Sequence, residues 1–392
     1  MRFPRGVFAV APTILTLALL TGCVPPPPQD GALHAVGWDR LPGWQSDTLA
    51  QTLPALRAEC RRLALLPTDT DLGGAGLAAQ AGGRAGQWSP ACKASRTLLP
   101  GDEPAIKRYY EAWFQAYYVA APALVTGYYE PEVRGALTQG GAYQTPLLAR
   151  PSDLTATAPP PSDPGGAPVT GRPVAGRLLP YWTRAEIEAG RADATARPLV
   201  WLADPIDLFF LQIQGSGRVR LPDGTAVRVG YAGKNGRPYT PIGRVLVEQH
   251  ALAAQDVTMQ AIRAWLAAHP AQAHAIMDRN EDYVFFRVLP NAAGVEDAKG
   301  PPGALGIDLF AGRTAAIDRR AIPLGAPIFV DTTDPVSGAA WQRLLLAQDI
   351  GTDIVGPART DVFLGAGAAA EQQAGRMHQP GTQYVLLPRK PA

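Results

Sequence analysis

Glycine and proline interrupt this chain so often that long helices have little room: there are 41 glycines and 39 prolines among 392 residues. Such punctuation favours many turns and short strands. Between the breaks lie compact apolar runs, "APIFVDTT", "RLLLAQDI", "TDVFL" and "TQYVLLPR", each of strand length. Upstream, "DLFFLQIQGSGRVRLPDGTAVRVGYAG" reads as strand, Gly turn, short strand, Pro-Asp-Gly turn and strand. Short strands with frequent turns predict a barrel or a sandwich.

Two segments depart from that rhythm. In "GDEPAIKRYYEAWFQAYYV", Ile106, Tyr109, Tyr110, Trp113, Phe114 and Tyr117 recur at helical spacing, with Asp102 as candidate cap and Pro104 in the first turn. In "VTMQAIRAWLAAHP", Met259, Ile262, Trp265 and Leu266 form one face, and Pro270 limits the helix. Both stripes read as core packing. The chain exceeds the usual size of one domain, so two are expected. A composition of 46% hydrophobic and 18% charged residues is enough to bury a core and excludes a mainly disordered chain. "TATAPPPSDPGGAPVTGRP" reads as an exposed insertion within one unit.

The N-terminus is not part of the fold. Arg2 and Arg5 precede the apolar run "VFAVAPTILTLALL", which ends in "LTGC". This is too short and one-sided for a transmembrane span. It resembles a bacterial lipoprotein signal over residues 1–22, which implies cleavage before Cys23 and acylation of that thiol; an ordinary secretory peptide is the alternative. Several acyl chains would anchor stably. Residues 23–43, with "VPPPP", read as a Pro-rich tether. By analogy with lipoprotein sorting, Val24 after the lipidated Cys implies an outer-membrane address facing the periplasm. The net charge of +2 balances once Arg2 and Arg5 are removed, so nothing points to nucleic acid. Cys60 and Cys92 remain, in an oxidising compartment, as a candidate structural disulfide or two free thiols. A bridge would contribute about 3–4 kcal/mol in the loop-entropy account. The five histidines are scattered without zinc spacing, and no metal is expected.

The acids of "AQDIGTDIVGPARTDVFLGAG" need another explanation. Asp349 and Asp361 stand twelve residues apart with Gly351, Gly356 and Pro357 between them, so the chain can bring both carboxylates to one end of a sheet. Desolvation by Ile354, Val355, Val362 and Phe363 would raise a carboxyl pKa, which glycosidic cleavage requires of its general acid. The alternative is that these acids, Asp353 included, bond turn N–H groups or pair with Arg359. "GSG" at Gly215–Gly217 fails the dinucleotide pattern, since Arg220 occupies the third glycine position.

Taken together, "IDRRAIPLGAPIFVDT", "AQDIGTDIVGPARTDVFLG" and "GTQYVLLP" resemble the three-aspartate (3D) domain. Upstream, "TGYYEPEV", "YWTRAEIEAG", "FFLQIQGSGRVRLPDG", "VGYAGKNGRPYTPIG" and "NEDYVFFR" follow in the order of the membrane-bound lytic murein transglycosylase A (MltA) family, from about Thr126 to Pro388.

The resemblance implies a mainly β fold with few helices. A double-psi β-barrel domain (residues 44–131 plus 279–392) would carry an inserted, smaller β-barrel (residues 132–278), with glycan in the groove between them. It implies cleavage of the MurNAc-β-1,4-GlcNAc bond of peptidoglycan, the muramyl C6 hydroxyl attacking its own C1 to leave a 1,6-anhydro end, with no cofactor. The matching motifs put the acid/base at Asp361, a tuning or purely structural role at Asp349, and a structural or groove-wall role at Asp318. Thr126, Tyr128, Tyr129, Gln212, Gln214, Ser216, Tyr231 and Lys234 are candidate sugar contacts. Gln212 and Gln214, if on a strand, would share one face. Two departures from the family run stand out: "IGTDI" after Asp349, where Thr352 could narrow a subsite, and Asp282, where serine is common. Expected partners are peptidoglycan strands, the outer membrane through the lipid, and cell-wall synthesis complexes. Rival readings are a non-catalytic peptidoglycan-binding lipoprotein and a hydrolytic muramidase.

Overall fold

The computed structural model describes residues 31–157, 169–290, 300–351 and 353–389. The signal segment, Cys23, Val24 and Thr352 lie outside the described residues.

Six strands close a ring. In spatial order they are His378–Pro388, Pro327–Thr333, Ala340–Ile350, Thr314–Ile317, Arg359–Ala366 and Ala123–Glu130, the last pairing back to the first. Four of the six contacts are antiparallel. The other two, Thr314–Ile317 with Ala340–Ile350 and Arg359–Ala366 with Ala123–Glu130, are parallel. The ring fits the double-psi expectation. Closure pairs every strand of the ring on both sides.

Two further strands extend this sheet beyond the ring: Phe114–Val119 on His378–Pro388, and Leu33–Val36 on Phe114–Val119. Both correct the sequence reading. The helix expected through Tyr117 stops at Trp113, and Phe114 is already extended (φ −125°, ψ 152°). The helical stripe continues past Trp113, but pairing on two sides decides the conformation. Asp102 caps that helix as expected, accepting from the Ala105 N–H at 3.0 Å. The tether expected through residue 43 is shorter, because Leu33–Val36 is a strand and Leu41 is buried in the core. Helices Leu53–Leu63, Ser89–Ala94 and Glu103–Trp113 cover the barrel, with Trp44, Trp88, Tyr110 and Phe329 fully buried among them. Cys60 and Cys92 are bridged, tying the first two of these helices together.

The inserted unit is a second six-stranded sheet, in the order Val284–Val288, Ala226–Lys234, Ser216–Arg220, Glu132–Ala136, Pro198–Leu202, Thr145–Leu148. A bridge from Ala149 to Phe286 brings its two edges together. Its last strand lies beyond the Asp278 boundary expected from sequence, because Val284–Val288 completes this sheet by pairing with Ala226–Lys234. Where the chain leaves the first barrel, Glu130 is wholly buried and held by Arg218 and Arg228 of the insert, each at 3.0 Å. This buried three-charge clamp fixes how one barrel leaves the other.

"DLFFLQIQ" is the largest correction. It forms the helix Pro205–Gln214, not a strand. Asp204 caps it through the Ile206 N–H, Pro205 opens it, and Gly215 closes it in the left-handed region at φ 74°. Asp-Pro before and Gly after the run are helix start and stop signals. The helix is apolar nearly all round because it lies between the insert barrel and a helical layer, so no amphipathic period marks it. Thr258 caps Met259–Ala268, and Pro270 ends it by opening Pro270–Met277. The stretch expected to be an exposed loop has strands at both its ends: Thr155–Thr157 and Val169–Val174 pair in a small outer sheet with Arg177–Pro180.

Candidate active site

The register of the first barrel puts four residues in one row. Ala316 is paired with Asp349 on one side and with Asp361 on the other, and Asp361 is paired with Thr126. The methyl side chain of Ala316 leaves room between the two carboxylates, where a larger residue would separate or cover them. The two acids of the sequence motif therefore meet across a strand, and not across the turn that joins them in sequence.

The two acids are held differently. The Thr126 hydroxyl donates to Asp361 Oδ1 at 2.5 Å. Burial raises the Asp361 pKa, and the Thr126 bond and the Arg359 charge only partly oppose it. Arg359 does not neutralise the acid by direct pairing, because its Nη1 donates to the carbonyls of Leu124 and Thr360. Asp349 accepts from Tyr128 Oη at 2.8 Å and from the Ala304 N–H at 2.9 Å. Burial pushes its pKa to about 6 despite those bonds. Gly303 makes the backbone contact possible: a Cβ there would lie 2.7 Å from the Gln348 carbonyl. Tyr128 keeps its proton, since burial and the Asp349 charge raise its pKa far above the usual range. It is the permanent donor of the pair.

Asp318 behaves in the opposite way. Burial would raise its pKa, but bonds from the Arg320 guanidinium and the N–H groups of Gly356 and Arg320 outweigh it and lower the value. It is an ion-paired carboxylate that pins the turn at Gly356.

A groove of about 1280 Å³ runs between the barrels past Asp349 and Asp361. Of the candidate contacts, Tyr128, Gln212, Gln214, Ser216, Tyr231, Lys234 and Asp318 line it, whereas Thr126 sits behind Asp361 and does not. Tyr129 packs against Ala370 and Ala374, away from the groove. Strand alternation explains that: Tyr128 and Tyr129 face opposite ways. Gln212 and Gln214 reach the groove from the end of a helix. Gln212 is tied to Arg184 and to the Val284 carbonyl, and Gln214 accepts from the Tyr129 N–H.

Sequence reasoning missed Arg184, which is 1% exposed yet lines the groove. Its guanidinium donates to the carbonyls of Asn280 and Asp282 and to Gln212 Oε1. The signal lay in "TRAE", a capping box, and Thr183 and Glu186 do cap each other. It also missed Ile213 and Ile350 as exposed apolar residues lining the groove beside Tyr231, and Val355, expected to help desolvate the acids, is instead 58% exposed on the groove. Nothing in a single sequence distinguishes these from scattered surface hydrophobics.

Family models place this arrangement. One described as the MltA specific insert domain matches residues 124–287, and one described as the 3D domain matches 313–387. Membrane-bound lytic murein transglycosylase A of Escherichia coli (strain K12) is 31% identical over 268 residues, covering 67% of this chain and 64% of that protein. The chain thus matches slightly less than two thirds of that relative's length. The crystal structure of a membrane-bound lytic murein transglycosylase from Agrobacterium tumefaciens is similar with a TM-score of 0.80 at 29% identity, covering 91% of this chain and 98% of that one. That of MltA from Neisseria gonorrhoeae, monoclinic form, gives 0.74 at 30%, covering 93% and 97%.

Proposed function

The chain belongs to the lytic murein transglycosylase A family, and on that premise we propose that it cleaves the MurNAc-β-1,4-GlcNAc bond of peptidoglycan with formation of a 1,6-anhydro end. The observation that carries this reading is the row Asp349–Ala316–Asp361–Thr126 beside the groove, with the Asp361 carboxyl held above its usual pKa. A protonated carboxyl near neutral pH is what departure of the sugar O4 requires.

In this reading Asp361 gives its proton to the leaving O4 as the C1–O4 bond breaks. The muramyl C6 hydroxyl then forms the new bond to C1, and its proton returns to Asp361, so the enzyme ends as it began. Thr126 orients the carboxyl through its hydroxyl. Asp349, nearby and partly ionised because its pKa is about 6, favours positive charge developing on the sugar ring. A hydrolase needs a second carboxylate to activate water or to act as nucleophile. Here the nucleophile is tethered to the reacting ring, an advantage of about 7–11 kcal/mol in favourable cases. Gln214, Ser216, Tyr231 and Lys234 serve as sugar contacts on the insert wall, Gln212 stiffens that wall, and Asp318 shapes the barrel side.

For location, we read residues 1–22 as a lipoprotein signal and Cys23 as the lipid anchor of an outer-membrane protein facing the periplasm. The similar proteins are named membrane-bound, while no helix among the described residues is long and apolar enough to cross a membrane.

Mass spectrometry of the products from purified sacculi tests the reading. Anhydro-muropeptides are expected. Products one water heavier would make the protein a muramidase, and intact sacculi with bound protein would make it a binding protein.

A further inference from the structure

Asp282 sits in the groove under conditions that a carboxylate does not tolerate without a partner. It is 8% exposed, lines the groove, and its Oδ1 has no hydrogen-bond partner among the described residues. The Arg184 guanidinium beside it is directed elsewhere. Arg184 donates to the Asp282 backbone carbonyl, to Asn280, to Gln212 and to Glu188. Asn280 Oδ1 accepts from the Asp282 N–H, which holds the backbone and leaves Asp282 Oδ1 unpaired.

A second acid shares the groove. Asp353, on the loop between the Ala340–Ile350 and Arg359–Ala366 strands of the first barrel, lines it together with Asp282 of the insert segment. We propose that the groove binds a primary ammonium group of the peptidoglycan strand at Asp282, with Asp353 as the second carboxylate. The inference rests on the peptidoglycan reading above and names a chemical requirement of the substrate. An ionised carboxylate only accepts hydrogen bonds, and an ammonium offers three donors and a full charge. A divalent metal ion fits less well, since it seeks six or more oxygen ligands and no group of three or more acidic, His or Cys side chains able to hold one occurs among the described residues.

The electrostatics agree. Burial raises the Asp282 pKa, and Lys234 and Arg184 lower it only in part. Asp353, exposed on its outer side, is partly desolvated within the groove, and this and then the Asp282 charge raise its pKa, eased by Lys234 and Arg359. Burial and both acids raise Tyr239, which keeps its phenol proton and can donate beside them. An incoming cation would relieve both carboxylates at once.

Two sources can carry this group: the side-chain amine of a diamino acid in the peptide stem, or a glucosamine lacking its acetyl. The test is co-sedimentation, in the cold, with purified sacculi whose free amines are native or blocked with acetic anhydride. The intact protein is expected to bind native sacculi about tenfold more tightly, a difference of about 1.4 kcal/mol. Asp282→Asn and Asp353→Asn should each bring the native-to-blocked ratio near one. Asp353 is exposed, so its variant reports even if the buried substitution disturbs folding. Asp193→Asn, an exposed acid outside the groove, should leave the ratio unchanged. Soluble glycan freed of peptides, native or acetylated and used as competitor against the sacculi, separates the sources: a ratio of competition near one assigns the peptide amine, and one that persists assigns the amino sugar. A ratio near one for the intact protein would overturn the inference, as would equal ratios in all variants or an equal fall with Asp193→Asn. Binding is read apart from product chemistry, so absence of anhydro products would sink the lytic reading without deciding this one.

Discussion

The two walls of the groove are built on opposite principles. On the barrel wall, Asp349 and Asp361 are desolvated and incompletely compensated, and both carboxyls have raised pKa values. On the insert wall, Asp282 apart, polar side chains largely satisfy one another. Arg184 spends its donors on Asn280, Asp282, Gln212 and Glu188, and Asn235 bonds the carbonyls of Trp182 and Glu281 and the N–H groups of Arg237 and Tyr283. The difference separates reactivity from rigidity. A proton donor needs an environment that leaves its charge unsettled, whereas a surface that positions a long sugar chain needs groups with no freedom left.

Substitution should break the comparison wall by wall. Asp361→Asn removes the transferable proton but keeps an oxygen for the Thr126 hydroxyl. Turnover should fall about a thousandfold, with binding of sacculi and urea stability nearly unchanged. Near-normal turnover would remove the barrel wall's claim to the chemistry. Arg184→Met should act the other way, costing about 3 kcal/mol in urea unfolding by stranding the Gln212 oxygen and two carbonyls. If it instead lowered turnover at unchanged stability, the insert wall would have a chemical role.

Glu59 sharpens the contrast from behind the barrel wall. It is 1% exposed, its carboxylate accepts from Gln348, the neighbour of Asp349, and burial pushes its pKa to about 8 from 4.5. The folded state binds this proton more tightly than the unfolded chain does. Stability is therefore full below pH 4.5 and is lost as pH rises toward 8. The slope is about 1.4 kcal/mol per pH unit as an upper limit. Glu59→Gln should flatten that slope, with no gain below pH 4.5, when denaturation is followed across pH. The smallest effect is expected for Tyr128→Phe. Losing the hydrogen bond that lowers Asp349 should move its titration upward by about 0.7 pH unit, or about 1 kcal/mol, readable in the pH-rate profile or by carbon NMR of the carboxyl.

Legibility in the sequence followed the same division. The barrel strands were plain because each is a short apolar run between breakers: "APIFVDTT" and "TQYVLLPR" lie within Pro327–Thr333 and His378–Pro388 or within a residue of their ends. The acids were visible as residues ill suited to strands. Their meeting across Ala316 was not, because strand order is a property of the closed ring and not of neighbouring sequence. The insert wall was harder to read. Its central helix is apolar on nearly every side, so "DLFFLQIQ" showed neither period clearly, and only Asp204, Pro205 and Gly215 marked its ends. Phe114 and Tyr117 were misread for the converse reason: a helical stripe was overruled by pairing with residues more than 250 positions away.

The hydroxyl that steadies the proton donor comes from a strand 235 residues earlier in the chain, with the whole insert intervening. A polypeptide still lacking its last strands cannot mount the acid, because Arg359–Ala366 and His378–Pro388 arrive last. Long-range closure of this kind is slow. It also delays assembly of the paired carboxyls of Asp349 and Asp361 with Thr126 until the last strands have arrived, a timing that follows from topology alone.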